Sequence, residues 1–256
     1  MKQTKIISFV NHKGGVGKTT TTASVGSYLA QKGYHVLLAD LDAQANLTLS
    51  LLKHPTDETI YDALTGKGEL PIISITENLS LIPASEMLAM VDIELAGAIS
   101  REKILDGLLK PIKYNYDFIL LDCPPSLGLI TLNAITACTD VIVPLIAEVL
   151  PFNGLKMINN FVKLIHNRLN NAAHISGILI TRWESTNLSK TIESDLRKTV
   201  GNLVFATKIR KNVSVAEAPL EHRNIVEYAP KSNGAADYRA FTEELLVKLG
   251  LNSTKL

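Results

Sequence analysis

The sequence predicts an α/β fold, a doubly wound and mostly parallel sheet flanked by helices. Three observations predict it. The apolar run 5–10 passes through a glycine-rich turn into a segment with helical patterning, and two later apolar runs, 34–40 and 116–122, each close on an aspartate. Short buried strands that alternate with helical stretches belong in a parallel sheet, because parallel neighbours need crossover connections that cover both faces.

The turn at 11–20 reads Asn-His-Lys-Gly-Gly-Val-Gly-Lys-Thr-Thr. Its glycines, Gly14, Gly15 and Gly17, let several backbone N–H groups converge on one point, and the helix that follows adds its positive end. That point suits a polyphosphate held by residues 13–20, Val16 and Thr20 contributing backbone. Lys18 then meets the terminal phosphates as a charge, and the Thr19 hydroxyl ligates magnesium. The loop departs from the usual G-x-x-x-x-G-K-[ST] pattern, with His12 where glycine is expected and a second lysine, Lys13, at its start.

The helix over 18–32 carries an apolar stripe of Val25, Tyr28 and Leu29 and stops at Gly33. Asp40 and Asp42 close the next strand at the edge where open α/β sheets bind ligands; strand-end aspartates also cap helices, and the residues alone leave that open. Strand or loop is expected near 79–82 and a helical stretch over 86–109, with Met87 and Met90 as core fillers. Further strands are read at 140–144, 177–182 and 205–209, and helices at 155–169 and 236–249. The 155–169 helix buries Ile158, Phe161, Val162, Ile165 and Leu169 and leaves Lys163, His166 and Arg168 nearer solvent.

A chain of 256 residues, 46% hydrophobic, can bury one sizeable core, and a single domain over 1–256 is the simplest organisation. The few residues ahead of the first strand leave no room for an N-terminal helix-turn-helix domain. With 26 basic and 25 acidic residues, attraction to nucleic acid has to come from a local patch. Residues 182–211 supply one: Arg182, Lys190, Arg197, Lys198, Lys208, Arg210 and Lys211 outnumber Glu184, Glu193 and Asp195. It reads either as a contact for DNA phosphates or as a solvated basic face. Cys123 and Cys138 are too few for a zinc site or disulfide framework, which fits buried thiols in a reducing cytoplasm. No apolar run reaches membrane-spanning length, and residues 1–10 lack a signal-peptide core.

The run 13–20 resembles the deviant Walker A loop of the ParA/MinD family of P-loop ATPases, whose extra lysine reaches across a dimer interface to the partner's nucleotide. The resemblance runs nearly end to end. Residues 40–44 are similar to the family's switch I, with Ala43 in place of its proline; 116–122 to the Walker B strand; 123–128 to switch II; 216–219 and 229–235 to later family segments. It implies ATP and Mg2+ as cofactors, with Lys13, Lys18 and Asp42 catalytic, Asp42 orienting the attacking water. Asp40 and Asp122 join Thr19 around the magnesium. The adenine falls to Thr181, Arg182, Arg210, Lys211 and Asn212. Residues 148–154 resemble the segment that lines the dimer interface, and a purely structural loop fits them equally.

The function implied is that of a ParA/Soj-type DNA-segregation ATPase, cytoplasmic and nucleoid-associated. An ATP-bound homodimer holds double-stranded DNA non-specifically through Lys190, Arg197, Lys198, Lys208, Arg210 and Lys211. A centromere-binding ParB-like protein triggers hydrolysis and release. The alternative is a MinD-like ATPase that positions a membrane or protein cargo. Residues 251–256 lack the basic amphipathic tail such a member uses, so no stable membrane association is expected.

Overall fold

The computed structural model describes residues 4–54, 56–148, 151–169 and 172–251. Eight strands form one sheet: β1 (Lys5–Phe9), β2 (Val36–Asp40), β3 (Ile73–Thr76), β4 (Leu79–Ile82), β5 (Phe118–Asp122), β6 (Asp140–Ile146), β7 (His174–Trp183) and β8 (Val204–Arg210). Their order is β3-β4-β2-β5-β1-β6-β7-β8. Every neighbouring pair is parallel except the β3–β4 hairpin at one edge.

Adjacent residues of the central strands face opposite ways, so each strand feeds two cores. Ile6, Leu37 and Leu121 pack with Ile135, Ile158 and Ile180 on one face. Ile7, Leu38 and Leu120 pack with Leu29, Phe205 and Phe241 on the other. This double burial is why the strands read as unbroken apolar runs. From β1 the chain first builds the β2 side of the sheet, then returns through β5 to build β6–β8 on the opposite side. That reversal opens a crevice beyond the carboxyl end of β1, where the 11–20 turn lies.

Several boundaries differ from the sequence reading. The expected helix over 86–109 is broken into a 3-10 turn (Glu86–Met90), a short helix (Val91–Glu94), a second 3-10 turn (Arg101–Lys103) and a helix (Ile104–Leu109). Gly97 and Ser100, the latter in the left-handed region at φ 53°, interrupt it. Met87 and Met90 are 44% and 41% exposed, so they are surface residues and not core fillers. The helix expected at 155 begins at Pro151. The last helix (Asn233–Lys248) starts earlier than expected because the Ser232 hydroxyl accepts the Ala235 N–H, a cap that holds the first turn. Strand β3 was not anticipated. Val149, Leu150 and 252–256, part of the expected interface segment and tail, lie outside the described residues. Among the described residues no helix is long and apolar enough to cross a membrane.

Gly177 on β7 shows how tightly the layers meet. A Cβ there would lie 2.2 Å from Cε2 of Phe205, a fully buried ring stacked edge-on against Phe241 at 4.8 Å. Overpacking of this kind costs about 1–3 kcal/mol. Gly177→Ala is therefore expected to lower stability by that amount in urea unfolding.

Candidate functional site

The turn after β1 takes its shape from two glycines in the left-handed region, Gly15 at φ 71° and Gly17 at φ 86°. Gly17 precedes the helix Lys18–Gln31 and offers no capping side chain, so the first N–H groups of that helix stay free for an anion. Two side chains that the sequence reading did not assign to this task, Asn11 and Thr181, fix the loop from below. Asn11 donates through Nδ2 to the Pro144 carbonyl (2.7 Å) and accepts the Lys13 N–H on Oδ1 (3.0 Å). The buried Thr181 hydroxyl donates to the Val16 carbonyl (2.8 Å) and lies 3.1 Å from that of Leu145. Thr181 thus buttresses the loop from the end of β7.

The two lysines of the loop occupy opposite environments. Lys18 is 7% exposed, and its ammonium donates to the Lys13 carbonyl at 3.1 Å. Burial pulls its pKa down, while Asp122 and Asp42 act in the other direction. Lys13 is exposed and has no ion pair within the described residues.

Asp40 and Asp122 are register partners across β2 and β5, and both are fully buried. Asp40 uses both oxygens inside the protein. Oδ2 accepts from the Thr48 N–H and hydroxyl, each at 2.8 Å, and Oδ1 accepts the Asp42 N–H at 3.1 Å. It pins the 42–48 loop, and both of its oxygens are engaged by these internal donors. Burial pushes its pKa up to about 6, with Asp42 adding to the rise and the three donors opposing it. Neither oxygen of Asp122 has a hydrogen-bond partner. Burial, then the Asp40 charge, raise its pKa well above the usual range against the Thr19 hydroxyl and Lys18. A buried, unpartnered carboxylate beside a hydroxyl is an oxygen donor set for a hard divalent cation, and these residues fit magnesium.

Asp42, half-buried, accepts the Gln44 N–H on Oδ1 at 3.0 Å. It faces a cleft of about 600 Å³ that it shares with Gly15, Lys18, Thr19, Pro125 and Asn224. A second pocket of about 400 Å³ shares Gly15, Gly17 and Thr20 with the first and brings together Thr181, Arg182, Arg210, Lys211 and Asn212. Arg182 enters it on a left-handed backbone, φ 48°. Asn212 brings a buried Oδ1 that has no partner. Arg210 is committed elsewhere, its guanidinium bidentate to Asp237 of the last helix at 2.6 and 2.9 Å. The 218–225 wall of the larger cleft was missed, although the similarity at 216–219 pointed there.

Residues 4–175 match a family described as an AAA domain. The sporulation initiation inhibitor protein Soj of Bacillus subtilis is 41% identical, the match covering 94% of this chain and 98% of that protein. The chromosome-partitioning ATPase Soj of Treponema pallidum is 38% identical over 96% and 98%. The chain belongs to the Soj/ParA family of partitioning ATPases. A solved Mycobacterium smegmatis protein described as cobyrinic acid a,c-diamide synthase, with bound ADP and magnesium, shares this P-loop fold. It superposes with a TM-score of 0.84 at 33% identity, covering 97% of this chain and 96% of that one.

In this family member the basic surplus of 182–211 is smaller in three dimensions than in the sequence. Glu193 pairs with both Arg197 (3.1 Å) and Lys208 (2.8 Å), Asp195 with Lys198 (3.1 Å), Glu184 with Lys211 (3.0 Å) and Asp237 with Arg210. Arg197 also donates to the Val204 and Phe205 carbonyls, and Lys208 lies 4.2 Å from the centre of the Trp183 ring. Of the six residues expected to meet DNA, Lys190 alone lacks an ion pair within the described residues.

The raised pKa of Asp40 has a sign that stability measurements can read. Its folded value of about 6 exceeds the ordinary 3.8, so the folded chain holds the proton more tightly than the unfolded one. Stability from this group grows as pH falls through 6 and is lost as pH rises through it. Relative to Asp40→Asn, ligand-free wild type is expected to lose Tm as pH rises from 5 to 7; an identical pH dependence in the two proteins would contradict the burial of this carboxylate.

Proposed function

We propose that this ATPase is a nucleotide-driven partition switch: ATP joins two copies, the joined pair holds DNA non-specifically, and a partner-stimulated hydrolysis releases it. The observation that carries the reading is the division between the two loop lysines. Lys18 is buried beside Asp122 and serves the nucleotide of its own chain. Lys13 is exposed on the rim with no ion pair among the described residues, which supports a role toward a nucleotide held by a second copy.

The N–H groups of residues 13–20 cradle the phosphates, and Lys18 neutralises the outermost oxygens. Thr19 and Asp122 would hold magnesium, which would supply positive charge to the phosphate oxygens when bound. Asp42, on the loop that Asp40 fixes, orients a water toward the γ-phosphate. Asn212, Arg182 and Lys211 line the adjoining pocket and would meet the adenine. The coupling between nucleotide and DNA is bivalent: two weak DNA surfaces joined in one dimer bind where one does not. A centromere-binding, ParB-like protein is the activating partner, and the assembly works on the nucleoid in the cytoplasm.

Two substitutions test this. Lys13→Ala is expected to keep ATP binding and to lose ATP-dependent dimerisation in light scattering; a normal dimer would remove the in-trans role. Asp42→Ala should retain ATP and the dimer while kcat falls by about 10²- to 10⁴-fold, the usual worth of a positioned proton acceptor. Undiminished turnover would take Asp42 out of the mechanism.

A further inference from the structure

Five of the seven cations of 182–211 are engaged by neighbouring acids, while another surface carries cations with no ion pair among the described residues. From residue 124 to residue 182 the only acids are Asp140 and Glu148. Asp140 is buried and accepts hydrogen bonds from the Ser176 and Thr139 hydroxyls. The helix Pro151–Leu169 lies within this stretch and has no acid at all. Its Leu155, Ile158, Val162 and Ile165 are buried in the core, which leaves Lys156, Asn160, Lys163, Asn167 and Arg168 exposed. None of the three cations has an ion pair within the described residues.

We infer that the DNA contact of this chain is the acid-free exposed side of the helix Pro151–Leu169, a stripe of Lys156, Asn160, Lys163 and Asn167 with Arg168 on its flank. This rests on the DNA-binding reading above. Charge complementarity selects the occupant. Lysine, arginine and side-chain amides without an opposing acid are the groups that hold phosphodiester oxygens without reading bases. Lys156 and Arg168 stand about 18 Å apart along the helix, roughly half of the ~34–36 Å turn of B-DNA. An anionic membrane fits less well, because insertion needs an apolar face and this helix has buried its own in the core. Phe152, Met157 and Leu164, 37%, 50% and 52% exposed, are too few to replace it.

The test measures binding of a random-sequence DNA duplex by the full chain with ATP and magnesium across a salt series. Three proteins are compared: wild type, the triple variant Lys156→Gln/Lys163→Gln/Arg168→Gln, and the double variant Lys190→Gln/Lys198→Gln. The triple variant is expected to bind at least about tenfold more weakly and to lose about 0.9 from the log–log salt slope for each phosphate contact removed. It should still dimerise with ATP, and the double variant should stay close to wild type. Equal binding by wild type and the triple variant would overturn the assignment of this face. So would loss of the ATP dimer in the triple variant, which would make the helix a subunit contact, or triple-sensitive binding to phosphatidylglycerol vesicles in place of DNA. Wild type that binds no DNA with ATP would overturn the DNA-binding reading itself, a result distinct from the others.

Discussion

Everything at the carboxyl edge of the sheet answers to one constraint, two carboxylates buried side by side. Asp40 and Asp122 end neighbouring strands in register, and each raises the cost of ionising the other. The fold meets that cost unequally. Asp40 receives three hydrogen bonds and becomes an anchor for the 42–48 loop. Asp122 receives none and faces Lys18 and Thr19. One buried ammonium against two carboxylates leaves room for a further cation. The same asymmetry separates a structural aspartate from a ligand-facing one, although the two occupy equivalent strand ends.

The loop lysines follow the same logic. Lys18 is drawn inward by the carboxylates and lies under the loop carbonyls, whereas Lys13 has its backbone tied to Asn11 and its side chain left outside. Phosphate binding within one chain accounts for Lys18. In the proposed switch, the exposed Lys13 at the mouth of the same cradle would meet the phosphates of a nucleotide held by another copy of the chain.

Local patterns made most of this legible in the sequence. The glycine spacing at 14–17, the apolar runs that end on Asp40 and Asp122, and the helix stop at Gly33 are all short-range signals, and each appears in the fold. What the sequence hid depends on distant partners. Thr181 looked like an adenine contact by position, yet its hydroxyl is taken by Val16 and Leu145. Arg210 looked free until Asp237 arrived from the last helix. Met87 and Met90 read as core fillers because methionine adapts to irregular gaps, but the segment breaks at Gly97 and Ser100 and leaves both exposed. Ion pairs within 182–211 escaped notice because a charge count adds signs without showing which of them touch.

Nucleotide-dependent pairing of two chains is the centre of the proposed switch. Sedimentation velocity of the wild-type protein, with magnesium and either ADP or a non-hydrolysable ATP analogue, tests it most directly. A monomer with ADP and a particle of twice that mass with the analogue are expected; the same mass in both would contradict the proposed pairing.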